Sequence, residues 1–157
     1  MRILVVRHGH AEPKQSWSGD DSDRPLIARG RTQAQALAST LSTSNPTRII
    51  ASPAVRCRQT IEPLAERCRL PVELSSSLAP EAGGAAATFV YELVATEPAS
   101  SCVVLCTHRE VLVRLLPRLA DSSGVKLGHR LPGAKGGVWM LNFRKKRLVK
   151  VGYRPAG

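Results

Sequence analysis

At 157 residues, 43% of them hydrophobic, the chain has the size of one domain, and a chain of about 150 residues buries roughly two-thirds of its unfolded surface without needing disulfides or metals. The formal charge of +11 raises the odds of an anionic partner without naming it, because cationic surfaces attract phosphates, nucleic acids and acidic proteins alike. No stretch approaches the roughly 18 apolar residues of a membrane span, and the apolar run after Met1 and Arg2 is too short for a signal peptide. A cytoplasmic protein without a membrane partner is therefore expected.

The four cysteines form no C-x-x-C pair and have no histidine cluster to complete a zinc site, and none has an arginine six residues downstream. They read as reduced and mostly core-facing, and no cysteine-nucleophile phosphatase loop is present.

Ile3 to Val6 is an unbroken apolar run that suits a strand buried on both faces of a parallel sheet, so Arg7 and His8 emerge at its carboxyl end. Ligands of open α/β sheets bind at that edge. Gly9 lets the backbone turn sharply and leaves room beside the imidazole. A histidine on a rigid strand end, next to a fixed cation, is well placed to attack an anionic phosphorus; the plainer alternative is a structural histidine. The polar segment from His10 to Asp23 reads as a loop at the same edge. Trp17 either packs under that loop or lies over a substrate. His8 and His10 make an H-x-H pair, but nothing nearby in sequence completes a metal shell, so neither a metal nor another cofactor is expected.

Arg24-Pro25-Leu26 leads to Gly30 and then to a helix from Arg31 to about Leu41, with Ala34, Leu37, Ala38 and Leu41 on one stripe. Asn45-Pro46 stops it. Arg48–Ala51 is a second short buried strand, after which Ser52 suits an N-cap and Pro53 the first helical position. Ile61, Leu64, Ala65 and Cys68 supply that helix's apolar face. Arg56 can reach back into the space before the helix, where free N–H groups favour an anion, or it can be a solvated arginine; Arg58 reads as the solvated one.

Pro71–Leu74 reads as a short strand, residues 75–84 as a loop containing Glu81, and Ala85–Val94 as a helix with Phe89, Val90 and Leu93 inward. Cys102–Cys106 is the clearest buried strand. Thr107 and Glu110 have the spacing of a capping box, which puts His108 in the first turn of a helix. The two strands need only be neighbours for His8 and His108 to face one another. Residues 133–137 form a flexible loop, and Val138–Phe143 and Leu148–Tyr153 are strands joined by the basic tip Arg144-Lys145-Lys146-Arg147. The tip reads as a solvated hairpin end rather than a nucleic-acid patch, and His129 as a surface residue.

In their order and spacing, Arg7-His8-Gly9, Arg24-Pro25-Leu26 with Gly30, Ser52-Pro53-x-x-Arg56-x-x-Gln59-Thr60, and His108 after a hydrophobic strand resemble the histidine phosphatase superfamily along nearly the whole chain. With the elements above, this implies one α/β domain over residues 1–157: a three-layer sandwich, its central sheet mostly parallel, with helices on both faces and a C-terminal antiparallel hairpin. The short length and Asp23-Arg24-Pro25-Leu26 look most like SixA-type phosphohistidine phosphatases. Ser18-Gly19-Asp20-Asp21, Arg56-Cys57 and Gln59-Thr60 are also similar to the phosphatase domain fused to Nudix hydrolases in actinobacteria. No Nudix segment precedes Met1, so the chain would be a free-standing version of that domain.

The resemblance implies that His8 is the nucleophile, forming a phosphohistidine that water hydrolyses to release inorganic phosphate, while Arg7, Arg56 and His108 hold the equatorial oxygens. Gly9, Trp17 and Arg24 complete the implied substrate contacts, and no metal is required. Many members carry a glutamate two residues after the leucine that corresponds to Leu78; here that position is Pro80, and Glu81 comes one residue late. Glu81 either reaches the leaving group as a general acid or stays a solvated carboxylate. Imidazole leaves with less help than an alkoxide, which favours a phosphohistidine protein as substrate. Nucleotides or other small phosphate esters are the alternative, and a phosphate-binding module without turnover is a third reading. Mutase activity and a nucleic-acid partner are not expected.

Overall fold

The protein is described by a computed structural model covering residues 1–157. The apolar run after Met1 becomes β1 (Arg2–Arg7), followed by α1 (Ala28–Leu41), β2 (Arg48–Ala51), α2 (Val55–Cys68), β3 (Val72–Leu74) and α3 (Ala85–Thr96). Then come β4 (Cys102–Thr107), α4 (Arg109–Ser123), β5 (Val138–Arg144) and β6 (Arg147–Arg154). Residues 75–84, expected as an open loop, hold two short 3-10 turns, Ser76–Leu78 and Pro80–Ala82.

The six strands form one sheet in the order β3-β2-β4-β1-β5-β6, with β1 to β4 parallel and the last two strands antiparallel. Alternation along β1 sends Ile3 and Val5 to the face covered by α3 and α4, and Leu4 and Val6 to the face covered by α1 and α2. The expected three-layer sandwich with a C-terminal hairpin is what forms. Proline does not end α2 or α4: Pro63 and Pro117 lie inside them, and in α4 the burial of Leu112, Leu115, Leu116 and Leu119 outweighs a local cost of about 3 kcal/mol.

Chain leaves β1 toward β2 on one side of the sheet and leaves β4 toward β5 on the other, so the β1–β4 boundary is a topological switch point. Register pairs Arg7 with Thr107. The next residue of each strand, His8 and His108, therefore emerges beside the other at the carboxyl edge.

Three local expectations are corrected. Helix α1 starts at Ala28 and takes Gly30 into its first turn, because that turn lies against the loop after β1 and a Cβ on Gly30 would stand 2.0 Å from the His10 carbonyl oxygen. Helix α2 starts at Val55 behind Ala54, and Ser52 does not cap it; the serine hydroxyl is held by His108 instead. Thr107 makes no capping box, since its hydroxyl donates to the Leu78 carbonyl at 2.7 Å and leaves His108 as the N-cap residue, without a side-chain cap bond. No helix is long and apolar enough to cross a membrane.

Candidate active site

His8 follows β1, where its N–H donates to the Thr107 carbonyl at 3.0 Å. Its Nδ1 lies 2.8 Å from the Gly9 carbonyl oxygen. A carbonyl can only accept, so Nδ1 carries the proton and Nε2 keeps a free lone pair. Burial, opposed by that carbonyl bond and reinforced by the charges of Arg56, Arg7 and Arg24, pushes the His8 pKa down to about 3, which keeps the ring neutral. Gly9 is not in the left-handed region, so the turn does not depend on glycine freedom. Its missing Cβ instead allows close approach of α1, since a Cβ there would lie 3.1 Å from the Gly30 oxygen. The Gly9 N–H is held by Thr60 Oγ1 at 3.0 Å, and Gln59 Oε1 holds the Leu26 N–H at 2.8 Å.

His108 stands 5.3 Å from His8 between ring centroids, edge to face at 64°. Its Nδ1 accepts from Arg56 Nη2 at 3.2 Å, because a guanidinium has no lone pair to offer. Nε2 must then carry the proton, and it donates to Ser52 Oγ at 2.7 Å, with Cys57 Sγ at 3.5 Å. Burial, with His8 and Arg56 beside it, lowers its pKa to about 2. Ser52 was not singled out for the site by sequence reasoning; its place three residues before the start of α2, ahead of Pro53, looks like a cap.

Arg56 is 3% exposed and reaches back from the first turn of α2, which decides between the two readings its sequence position left open. Its Nη1 donates to the Asp21 carbonyl at 2.7 Å and Nη2 to Asp21 Oδ2 at 3.0 Å. Arg24 donates from Nε to Asp21 Oδ1 at 3.2 Å and from Nη1 to the Glu12 carbonyl at 2.7 Å. Burial works to raise the Asp21 pKa, but the charges and hydrogen bonds of Arg56 and Arg24 bring it below the ordinary carboxylate value. Asp21 is a second participant missed from sequence, where it reads as one of several loop acids. Arg7 donates from Nη1 to the Gly133 carbonyl at 2.7 Å. The Nε atoms of Arg7, Arg56 and Arg58 are buried without a hydrogen-bond partner.

Arg7, His8, Arg24 and Arg56 line one open cleft of about 450 Å³, together with His10, Lys14, Arg109 and Lys135. Six basic side chains face two carboxylates, Glu12 and Glu110, and burial together with Arg7, Arg24 and Arg29 lowers the Lys135 pKa. His10 Nδ1 is bound to Gln33 Oε1 at 2.9 Å. Glu81 does not line this cleft; it faces an adjoining cavity of about 340 Å³ that shares Arg56 and includes Ser52 and Asp21. Trp17 folds onto its own loop, with Nε1 donating to the Asp20 carbonyl at 2.8 Å, and lines neither cavity. No group of three His, Cys, Asp or Glu side chains converges as a metal shell would.

A family model for the histidine phosphatase superfamily (branch 1) matches residues 3–86, just over half of the chain, and the chain belongs to that superfamily. A protein of Mycolicibacterium smegmatis named 8-oxo-(d)GTP phosphatase is 36% identical over 157 residues, covering 96% of this chain and 47% of the relative, so the chain spans about half the relative's length. Two solved structures share the fold. Mycobacterial glucosyl-3-phosphoglycerate phosphatase with VO3 has a TM-score of 0.78 at 20% identity and is covered over 99% of both chains. The protein histidine phosphatase SixA with tungstate has a TM-score of 0.74 at 19% identity, over 98% of this chain and 94% of that one.

Proposed function

We propose that residues 1–157 act as one metal-independent phosphatase domain in which His8 is the nucleophile. The observation that carries this reading is the tautomer of His8: Nδ1–H is committed to the Gly9 carbonyl, and Nε2 stays unprotonated beside Arg7, Arg56 and His108. Nε2 attacks phosphorus as the bond to the leaving group breaks; water then attacks the phosphohistidine, regenerating His8 and releasing inorganic phosphate. Arg7 and Arg56 hold the equatorial oxygens; His108, expected from sequence to share that role, is fully buried with its Nδ1 taken by Arg56 and its Nε2–H by Ser52, and positions Arg56 instead. The two orphaned Nε–H donors of Arg7 and Arg56 support their role, because buried donors without partners mark a place for an anion. Gly9 keeps the loop close to α1, and Arg24 adds positive charge at the cleft.

The excess of cations along the cleft supports a substrate with more negative charge than one phosphoryl group. A nucleoside di- or triphosphate fits that demand, and the relative named 8-oxo-(d)GTP phosphatase supports it. Its leaving group is itself a phosphate with a pKa of about 6, which departs without a general acid. The second reading is a phosphohistidine protein, the substrate favoured first from sequence. The placement of Glu81 outside the His8 cleft favours both over alkyl esters, since a phosphate leaves without an acid and an imidazole with less help than an alkoxide. Four free cysteines are consistent with a cytoplasmic setting.

Phosphate release in excess chelator, from nucleoside polyphosphates and from a phosphohistidine carrier protein, tests the reading. Wild type releases phosphate and His8→Ala loses at least about a thousandfold in rate. Equal rates in the two proteins overturn the mechanism. The better substrate of the panel separates nucleotide from phosphoprotein.

A further inference from the structure

The buried guanidinium assigned to the phosphoryl group is already occupied by an anion. Asp21 Oδ2 and the Asp21 carbonyl oxygen take Arg56 Nη2 and Nη1 at 3.0 and 2.7 Å, and Asp21 Oδ1 stands 3.1 Å from Arg24 Nη2. Two oxygens on one guanidinium fork is the arrangement a phosphoryl group uses. A phosphoryl oxygen and the Asp21 carboxylate therefore compete for the same donors.

The segment that carries Asp21 is built to yield. It is a single 3-10 turn, Asp21–Asp23, with no buried residue, and it is tied down at Asp20, which accepts from Ser22 N and Oγ and from Trp17 Nε1. Segments with so little buried apolar surface open at low cost. The Asp21 side chain is 42% exposed and Arg56 only 3%, so the carboxylate leaves and the arginine stays.

We infer that Asp21 is an internal competitor at the phosphoryl site: its carboxylate fills the anion clamp, weakens every incoming anion by the same factor, and so admits at a given concentration only an anion that binds the rest of the cleft as well. The inference rests on the reading of Arg56 and Arg24 as phosphate ligands. A monoanion gains no more from the clamp than Asp21 already does, whereas a dianion gains more and also draws on Arg7 and the cleft. The competitor thus sets an affinity threshold, below which an anion does not displace it.

Calorimetric titration of vanadate into wild type, Asp21→Asn and Asp23→Asn at fixed ionic strength and alkaline pH, where vanadate is a dianion, tests this without requiring turnover. Asp21→Asn binds vanadate about tenfold tighter, the gain expected when a clamp open about a tenth of the time becomes permanently open. Acetate gains by the same factor, because an internal competitor lowers the apparent affinity of both anions equally. Asp23→Asn removes the same charge from the same turn without touching Arg56, and shifts affinity by less than about twofold. In wild type, vanadate changes an emission signal that is lost in Trp17→Phe, because Trp17 is bonded to the moving segment. Unchanged affinity in Asp21→Asn overturns the inference, and so does no binding by either protein. Weaker binding also overturns it, since the carboxylate would then be holding Arg56 in place. Absence of hydrolysis in wild type counts against the phosphatase reading and leaves this titration decisive on its own question.

Discussion

Both ring nitrogens of His108 are spoken for, one as acceptor from Arg56 and one as donor to Ser52, and the ring is buried so completely that water cannot substitute for either partner. Ser52→Ala leaves the Nε2–H with only the weak acceptor Cys57 Sγ at 3.5 Å. An unsatisfied buried donor costs about 1–3 kcal/mol, which urea unfolding of the variant should show. The freed ring can also turn away from Arg56, and small displacements of a positioning group cost up to about a hundredfold in rate. A parallel loss of kcat is therefore expected, with KM changing little. Sequence spacing assigned His108 to the first turn of a helix and Ser52 to a cap; only the contact between them shows that the serine hydroxyl serves the histidine.

At the level of elements, the site depends on how closely α1 approaches the loop after β1. Gly30 carries that approach. Replacing it with alanine puts a Cβ 2.0 Å from the His10 carbonyl oxygen, and main-chain atoms on both sides leave no flexible side chain to give way. The helix propensity gained, about 1 kcal/mol, is smaller than the strain of an overpacked contact, about 3 kcal/mol or more here. Gly30→Ala is expected to lower the urea midpoint and to weaken vanadate binding together, because relief of the clash shifts His8, Gly9 and His10. The same closeness explains why α1 begins three residues earlier than its apolar stripe suggests: the first turn is fastened by the Arg31 N–H on the Ile27 carbonyl and by Gln33 on His10, not by apolar side chains.

Across the whole molecule, two buried neutral histidines make stability depend on pH. Both folded pKa values are depressed, to about 3 for His8 and about 2 for His108, against an ordinary value near 6.5. Between pH 6.5 and 3 the unfolded chain binds more protons than the folded one, so unfolding free energy rises with pH in that window. Stability is complete above about pH 6.5 and is lost as pH falls, by up to about 1.4 kcal/mol per pH unit per histidine. Urea unfolding at pH 7.5, 6 and 5 should show this slope, and His8→Gln should reduce it by about one proton. Asp21 and Glu73, whose pKa values are lowered, add losses only below the ordinary carboxylate range, so the interval down to about pH 5 reports the histidines alone. The charge of +11 is also divided by the fold: one cluster of cations lines the cleft at the carboxyl edge, while the β5–β6 tip lies past the β1 amino end, where Arg2 pairs with Asn142.

Sequence by itself determined the strands and helices, because unbroken apolar runs and three- and four-residue stripes are local patterns. The order of the motifs also singled out Arg7, His8, Arg56 and His108, which the fold brings to one edge. Tertiary structure alone decided that β1 and β4 are neighbours, and with that the facing of the two histidines. It also decided which partner each hydroxyl and carboxylate takes: Thr107 bonds Leu78, 29 residues away, Asp21 bonds Arg56, 35 away, and Ser52 bonds His108, 56 away. A short polar side chain has nearby backbone and distant groups competing for one hydrogen bond, and the competition is settled only when burial removes water as the alternative.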